Sequence, residues 1–126
     1  MHSFQIYLFV SIGGALGASM RYLIVQMSTN LLGKGFPFGI LAVNVLGSFF
    51  LGMLYAFIQQ DSGENSGLRA LIAVGLLGAF TTFSTFSLDT VLLIQQGDLI
   101  KASLNVFFNV TVCLFSVWLA LLIFKG

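Results

Sequence analysis

The feature that most constrains this chain is where its charges are not. Five basic and four acidic residues are spread over 126 positions, and they leave four long uncharged stretches. Phe4 to Met20 carries no charge, meets Arg21, and continues from Tyr22 to Met27. Phe38 to Ile58 is uncharged, as is Ala102 to Phe124. Ala70 to Leu88 is uncharged, meets Asp89, and runs on to about Gln95. A bilayer hydrocarbon core of about 30 Å is crossed by about 20 predominantly apolar residues in a helix. Backbone groups in lipid must pair internally, so such stretches become helices rather than open strands. The pattern predicts an all-α membrane protein with one membrane domain over residues 1–126. Its four transmembrane helices are expected at about 4–27, 38–59, 68–95 and 99–124. Composition agrees: 7% of residues are charged, against about a quarter in soluble domains. That is too little charge to cover a water-facing surface.

The connections are short. Gly33-Lys34-Gly35-Phe36-Pro37 reads as a turn, Asp61 to Gly67 as a polar turn, and Gly97-Asp98 as a break before the last span. The first span lacks the basic leader of a signal peptide. A net charge of +1 gives no basis for a nucleic-acid partner. The lone Cys113 allows neither an intrachain disulfide nor a cysteine metal site. No serine–histidine–acid set or phosphate loop stands out, and His2 at the exposed terminus is expected to be inert. Any activity should therefore sit inside the membrane, and an enzyme is not expected.

Basic residues are nearly balanced across the membrane. One face carries Arg69 and Lys125, the other Arg21, Lys34 and Lys101. The positive-inside rule orients a protein through an excess of Lys and Arg on one side. A bias of one residue predicts that both orientations insert and that two inverted copies can pair. Gly13 and Gly17, Gly14 and Ala18, and Gly39, Gly47 and Gly52 are small residues that let helices approach closely in lipid. They are expected to serve packing, including that of a narrow dimer interface.

Polar groups in hydrocarbon are costly and tend to face a partner or an aqueous path. The run Gly78-Ala-Phe-Thr-Thr-Phe-Ser-Thr-Phe-Ser87 sets Thr81, Thr82, Ser84, Thr85 and Ser87 among Phe80, Phe83 and Phe86 in mid-span three. Its hydroxyls can satisfy backbone groups freed by a helix break near 78–83. They can equally bond back to their own turn in an unbroken helix. Half-helix ends make ion sites, with amide ends favouring anions and carbonyl ends cations. Asn44 in span two is either an interhelical hydrogen bond or a pore donor that replaces water around an anion. Asn105 and Asn109, one turn apart, either serve as interhelical hydrogen bonds or form a semi-polar stripe with Cys113 and Ser116. Arg21 either snorkels to the interface or lines an electropositive vestibule. Asp89 is expected to pair with Arg21 or Lys101.

Three of these motifs together resemble one family. Gly13-Gly-Ala-Leu-Gly-Ala-Ser-Met-Arg21-Tyr22 is similar to its glycine-rich first helix ending in arginine. Gly39-Ile-Leu-Ala-Val-Asn44-Val-Leu-Gly47 is similar to its second-helix asparagine motif, and the run from Gly78 to Ser87 to its third-helix signature. On these residues, and over nearly its whole length, the chain resembles the Fluc/CrcB fluoride channels. Ile40 stands where that family usually has threonine, Asp89 where it has glutamate, and Ala79-Phe80 where it often has Gly-Leu.

The resemblance implies an antiparallel homodimer of four-helix subunits in the cell's inner or plasma membrane. Such a dimer exports fluoride passively through two antiparallel pores. It implies a broken third helix and a central sodium ion held by backbone carbonyls of both subunits, here those of Gly78 and Thr81. The family's phenylalanine boxes fall on Phe83 and Phe86, its pore asparagine on Asn44, and its polar track on Ser84 and Thr85. Its vestibule arginine falls on Arg21, and its fourth-helix polar positions on Asn105 and Asn109. Two other classes compete: a small dual-topology drug/proton antiporter, and a structural subunit of a larger complex. The antiporter needs a membrane-embedded acid, typically in the first span, and none is there.

Overall fold

A computed structural model describes residues 3–59 and 66–125. His2 and most of the polar turn at 61–67 lie outside the described residues. All regular structure among the described residues is helical. Four helical stretches are long and apolar enough to cross a membrane: Ser3–Leu32, Phe38–Ile58, Ser66–Gln95 and Leu99–Phe124. The chain is a multi-pass membrane protein.

Helix α1 is Ser3–Leu32, so it runs about a turn past the end expected from sequence. The polar Ser28-Thr29-Asn30 does not stop it, because the Thr29 hydroxyl donates back to the Val25 carbonyl at 2.9 Å. The stop comes at Gly33, whose positive φ of 83° L side chains rarely adopt. Its N–H donates to the Thr29 carbonyl at 2.9 Å and closes the helix end. Arg21 consequently lies inside α1, not near its end. At 1.5 Å per residue, α1 is about 45 Å long, more than a hydrocarbon core needs.

Helix α2 is Phe38–Gln59 and follows Pro37 directly. The third span is built from pieces. Short α3, Ser66–Arg69, leads into a π-helical segment, Ala70–Leu77. Helix α4, Gly78–Phe80, follows, and after two extended residues α5 is Phe83–Gln95. Gly97, with φ 85°, reverses the chain into α6, Leu99–Lys125.

Helix α2 packs mainly on α6, and α1 on the π-helical segment. The second contact is made by backbone. Gly13 and Gly17 are buried, and a Cβ at either would collide with the carbonyl oxygen of Leu71 or Leu76. A Cβ at Gly75 would stand 2.6 Å from the Val10 carbonyl oxygen. Two helices that meet this closely gain van der Waals contact along their whole length, which is the main attraction available in lipid. These glycines are thus used within the subunit. At the α2–α6 contact, Gly52 plays the same part, with a Cβ there 2.9 Å from the Val117 carbonyl oxygen. Large apolar side chains such as Leu16, Leu23, Leu114 and Leu122 point outward, as lipid allows.

Candidate functional site

Helix geometry in the third span stops at Phe80 and resumes at Phe83. Thr81 (φ −89°, ψ 159°) and Thr82 (φ −154°, ψ 125°) are extended. The interruption lies within the stretch the hydroxyl run pointed to. It changes what the span leans on: the π-helical segment and α4 lie on α1, whereas α5 lies on α6.

The break redirects specific amides. In a continuous helix the Thr82 N–H would close on the Gly78 carbonyl, and the Thr85 N–H on the Thr81 carbonyl. Here the Thr82 N–H donates to Asn44 Oδ1 at 2.8 Å. The Thr85 N–H donates to Thr82 Oγ1 at 3.2 Å, which makes Thr82 the N-cap of α5. Among the described residues, neither the Gly78 nor the Thr81 carbonyl receives the amide four residues on. Between them, the Ala79 carbonyl accepts from Arg21 Nε at 3.0 Å. Arg21 is therefore engaged with the carbonyl end of α4 and not with Asp89, the partner considered from sequence. A guanidinium at a helix carbonyl end also offsets the negative pole of that end. The same break leaves α5 starting with amides, the pole that attracts anions.

Asn44 holds the break open. Besides accepting from Thr82, it donates from Nδ2 to the Thr82 carbonyl at 3.1 Å and to Asn109 Oδ1 at 2.9 Å. Its amide is committed to the protein on both sides. Thr81 packs over Gly47, where a Cβ would collide with Thr81 Cγ2. Beyond the break the hydroxyls cluster: Thr82 Oγ1 lies 3.3 Å from Ser84 Oγ and 3.2 Å from Thr85 Oγ1. Ser87 bonds back to the Phe83 carbonyl at 2.9 Å.

Phe83 and Phe86 sit one turn apart on the same side of α5. Their centroids are 5.3 Å apart and the planes are inclined at 61°, an edge-on pair. Burial separates them: Phe83 is 77% exposed and Phe86 is 7% exposed. Both line a groove of about 400 Å³, together with Asn44, Gly78, Thr81, Thr82 and Asn109. A second groove of about 310 Å³ holds Thr85, Asp89 and Lys34. Eight of the nine site residues read from sequence thus fall at or beside the break: Asn44, Gly78, Thr81, Phe83, Phe86 and Asn109 in one groove, and Ser84 and Thr85 within the hydroxyl cluster. Thr85 joins that cluster to the second groove, and Arg21 stands behind the break on the Ala79 carbonyl. Lys101 approaches the first turn instead of Asp89: a Cβ at Gly35 would be 3.6 Å from its Nζ.

Sequence reasoning missed Thr82 as the cap, and missed Thr90. Asn105, read from sequence as part of a stripe or as an interhelical hydrogen bond, makes such a bond: it is fully buried and donates to Thr90 Oγ1 at 3.0 Å. The available signal was one more hydroxyl, Thr90, four residues after Phe86 and next to Asp89.

Comparison with known proteins agrees over most of the length. A family model described as "CrcB-like protein, Camphor Resistance (CrcB)" matches residues 8–121. A protein of Pseudoalteromonas translucida named "Fluoride-specific ion channel FluC" is 54% identical over 112 residues, covering 89% of this chain and 93% of the relative. One of the same name from Alteromonas mediterranea is 50% identical over 121 residues, covering 96% and 95%. A third, from Shewanella baltica, is 54% identical over 112 residues, covering 89% and 90%. With a matched region that takes in Gly13, Arg21, Asn44 and the whole interrupted span, the chain belongs to the CrcB-like family.

Proposed function

We propose that this chain is a fluoride-selective channel that works as an antiparallel homodimer with two pores. The observation that carries the reading is the break at Thr81–Thr82, which sets open carbonyls, hydroxyls and an edge-on phenylalanine pair along one groove. The names of the relatives, fluoride-specific ion channels, support the choice of ion.

A small hard anion that leaves water must find hydrogen-bond donors or positive edges on the way. Aromatic rings carry their positive charge at the edge. The path we assign runs past Asn44 and Asn109, whose amides are held by protein partners and shape the groove, along the edges of Phe86 and Phe83, to the hydroxyls of Ser84 and Thr85. The amide end of α5 and the Arg21 guanidinium add positive potential beside it. The narrowness that favours fluoride would come from the second copy. In one subunit the groove is open to the surface, with Gly78, Phe83 and Ser84 exposed. An inverted copy would close it, and the near balance of basic residues suits insertion both ways.

The Gly78 and Thr81 carbonyls are suited to hold a sodium ion, because hard cations take oxygen ligands and these two have lost their helical amides. A sodium ion there would neutralise carbonyl ends that converge from both subunits.

The test is fluoride-electrode efflux from liposomes containing the purified protein, with chloride as the control ion. Fluoride efflux without matching chloride efflux is expected, and it should fall sharply in Phe86→Ile. Replacement of sodium by a large organic cation should also slow it. Absence of fluoride flux from the folded wild-type protein defeats the reading. Dependence on a pH gradient would favour the antiporter instead.

A further inference from the structure

One hydrogen-bond chain leaves the third span at the break and returns to it in α5. The Thr82 N–H donates to Asn44 Oδ1 at 2.8 Å, and Asn44 Nδ2 donates to Asn109 Oδ1 at 2.9 Å. Asn109 Nδ2 donates to Asn105 Oδ1 at 3.0 Å and to the Asn105 carbonyl at 2.9 Å. Asn105 Nδ2 donates to Thr90 Oγ1 at 3.0 Å, and the Thr90 hydroxyl donates to the Phe86 carbonyl at 2.8 Å. The chain begins on an amide of the break and ends on the backbone of a groove phenylalanine.

Its direction is set from one end. A backbone N–H can only donate, so Asn44 must turn its oxygen to Thr82 and its nitrogen to Asn109. Asn109 must then present oxygen to Asn44 and nitrogen to Asn105, and Asn105 must do the same toward Thr90. Thr90 accepts from Asn105 and passes its own proton to the Phe86 carbonyl. Water cannot easily substitute, since Asn105 is 0% and Asn109 6% exposed. Aligned bonds of this kind polarise one another. A loss at the far end is therefore felt at the near end.

We propose that Thr90 and Asn105 are positioning residues for the ion path. Through Asn109 and Asn44 they fix the orientation of the amides at the break, and through the Phe86 carbonyl they fix the turn that carries Phe86. Thr90 lines neither the groove of the break nor the groove of Asp89 and Lys34. The effect on ions rests on the fluoride-channel reading, whereas the coupling along the chain does not.

The experiment compares Thr90→Val, which keeps the shape and removes the hydroxyl, with Thr90→Ser, which keeps the hydroxyl. Fluoride efflux from liposomes should fall about tenfold in Thr90→Val, the scale of one buried hydrogen bond left unmade. Thr90→Ser should restore efflux close to wild type. The second readout is the nitrogen–proton NMR signals of the Asn44 and Asn109 side chains and the Thr82 amide in the detergent-solubilised protein. All three should shift in Thr90→Val and return in Thr90→Ser, a pattern that loss of stability alone does not produce. Equal efflux in wild type, Thr90→Val and Thr90→Ser overturns the positioning role. Signals that move only at Asn105 overturn the coupling. Where wild type carries no fluoride, the channel reading fails, and the NMR signals still decide the coupling. Thr90→Ala serves in both measurements if Thr90→Val does not fold.

Discussion

Ahead of the break, the third span lies on α1 with glycine backbones in contact, at Gly13, Gly17 and Gly75. After the break, α5 lies on α6, tied through Thr90 and Asn105 by side-chain hydrogen bonds. At those glycines the first contact is backbone against backbone, and its polar side-chain bond is that of Arg21 to the Ala79 carbonyl. The second depends on donors and acceptors that must each find the right partner. In a bilayer such interhelical hydrogen bonds average only about 0.6 kcal/mol, so the polar half contributes modest stability for its cost in desolvation. What it supplies is orientation. The rigid half anchors the carbonyl end of the break, and the polar half aims the amide end and the phenylalanines.

Substitutions can break or sharpen this contrast. The largest effect on stability is expected from Gly17→Val, which drives a branched side chain into the Leu76 backbone. It should cost about 3 kcal/mol or more and be read as loss of monodisperse protein in detergent. Next is Asn44→Leu, of similar size, which removes three hydrogen bonds and strands the Thr82 N–H. A loss of about 2 kcal/mol is expected, with folded protein still recoverable and fluoride efflux abolished. Thr82→Val removes the cap of α5. It should lower stability by about 1 kcal/mol, seen as a small drop in Tm, while slowing efflux. The smallest effect on stability belongs to Phe83→Ile, since that ring is 77% exposed in the subunit. Stability should stay within about 0.5 kcal/mol while efflux falls sharply. A Phe83→Ile protein with wild-type efflux would remove that residue from the path.

Much of this was legible in the sequence, because charge in lipid is costly enough to mark span boundaries. The four spans and the turns at Gly33 and Gly97 were readable, whereas the hydroxyl run from Gly78 to Ser87 allowed both a broken and an unbroken helix, and only the family resemblance chose the break. The end of α1 was not, because Thr29 hides its hydroxyl on its own helix, which a residue list cannot display. The π-helical segment was equally hidden: Ala70–Leu77 is plain apolar sequence, and its wider turn arises where it meets α1. Arg21 invited a search for a carboxylate partner, and it found a carbonyl freed by the break. Asn44 read as a donor for an anion or a helix, and its atoms turn out to be shared between Thr82 and Asn109. In each case the missing information was a contact between residues far apart along the chain.

The bracing of the break has a consequence for how the protein is made. Spans enter the membrane in the order in which the ribosome releases them. When Thr82 arrives, Asn44 is already there to receive its amide, so the extended turn can form at once. Asn109 and Asn105 belong to the last span, so until it enters the newborn chain holds Asn44 with one partner missing and Thr90 without its donor. Completion of synthesis, and not the insertion of the signature itself, is the moment at which the amide end of the break acquires its final aim.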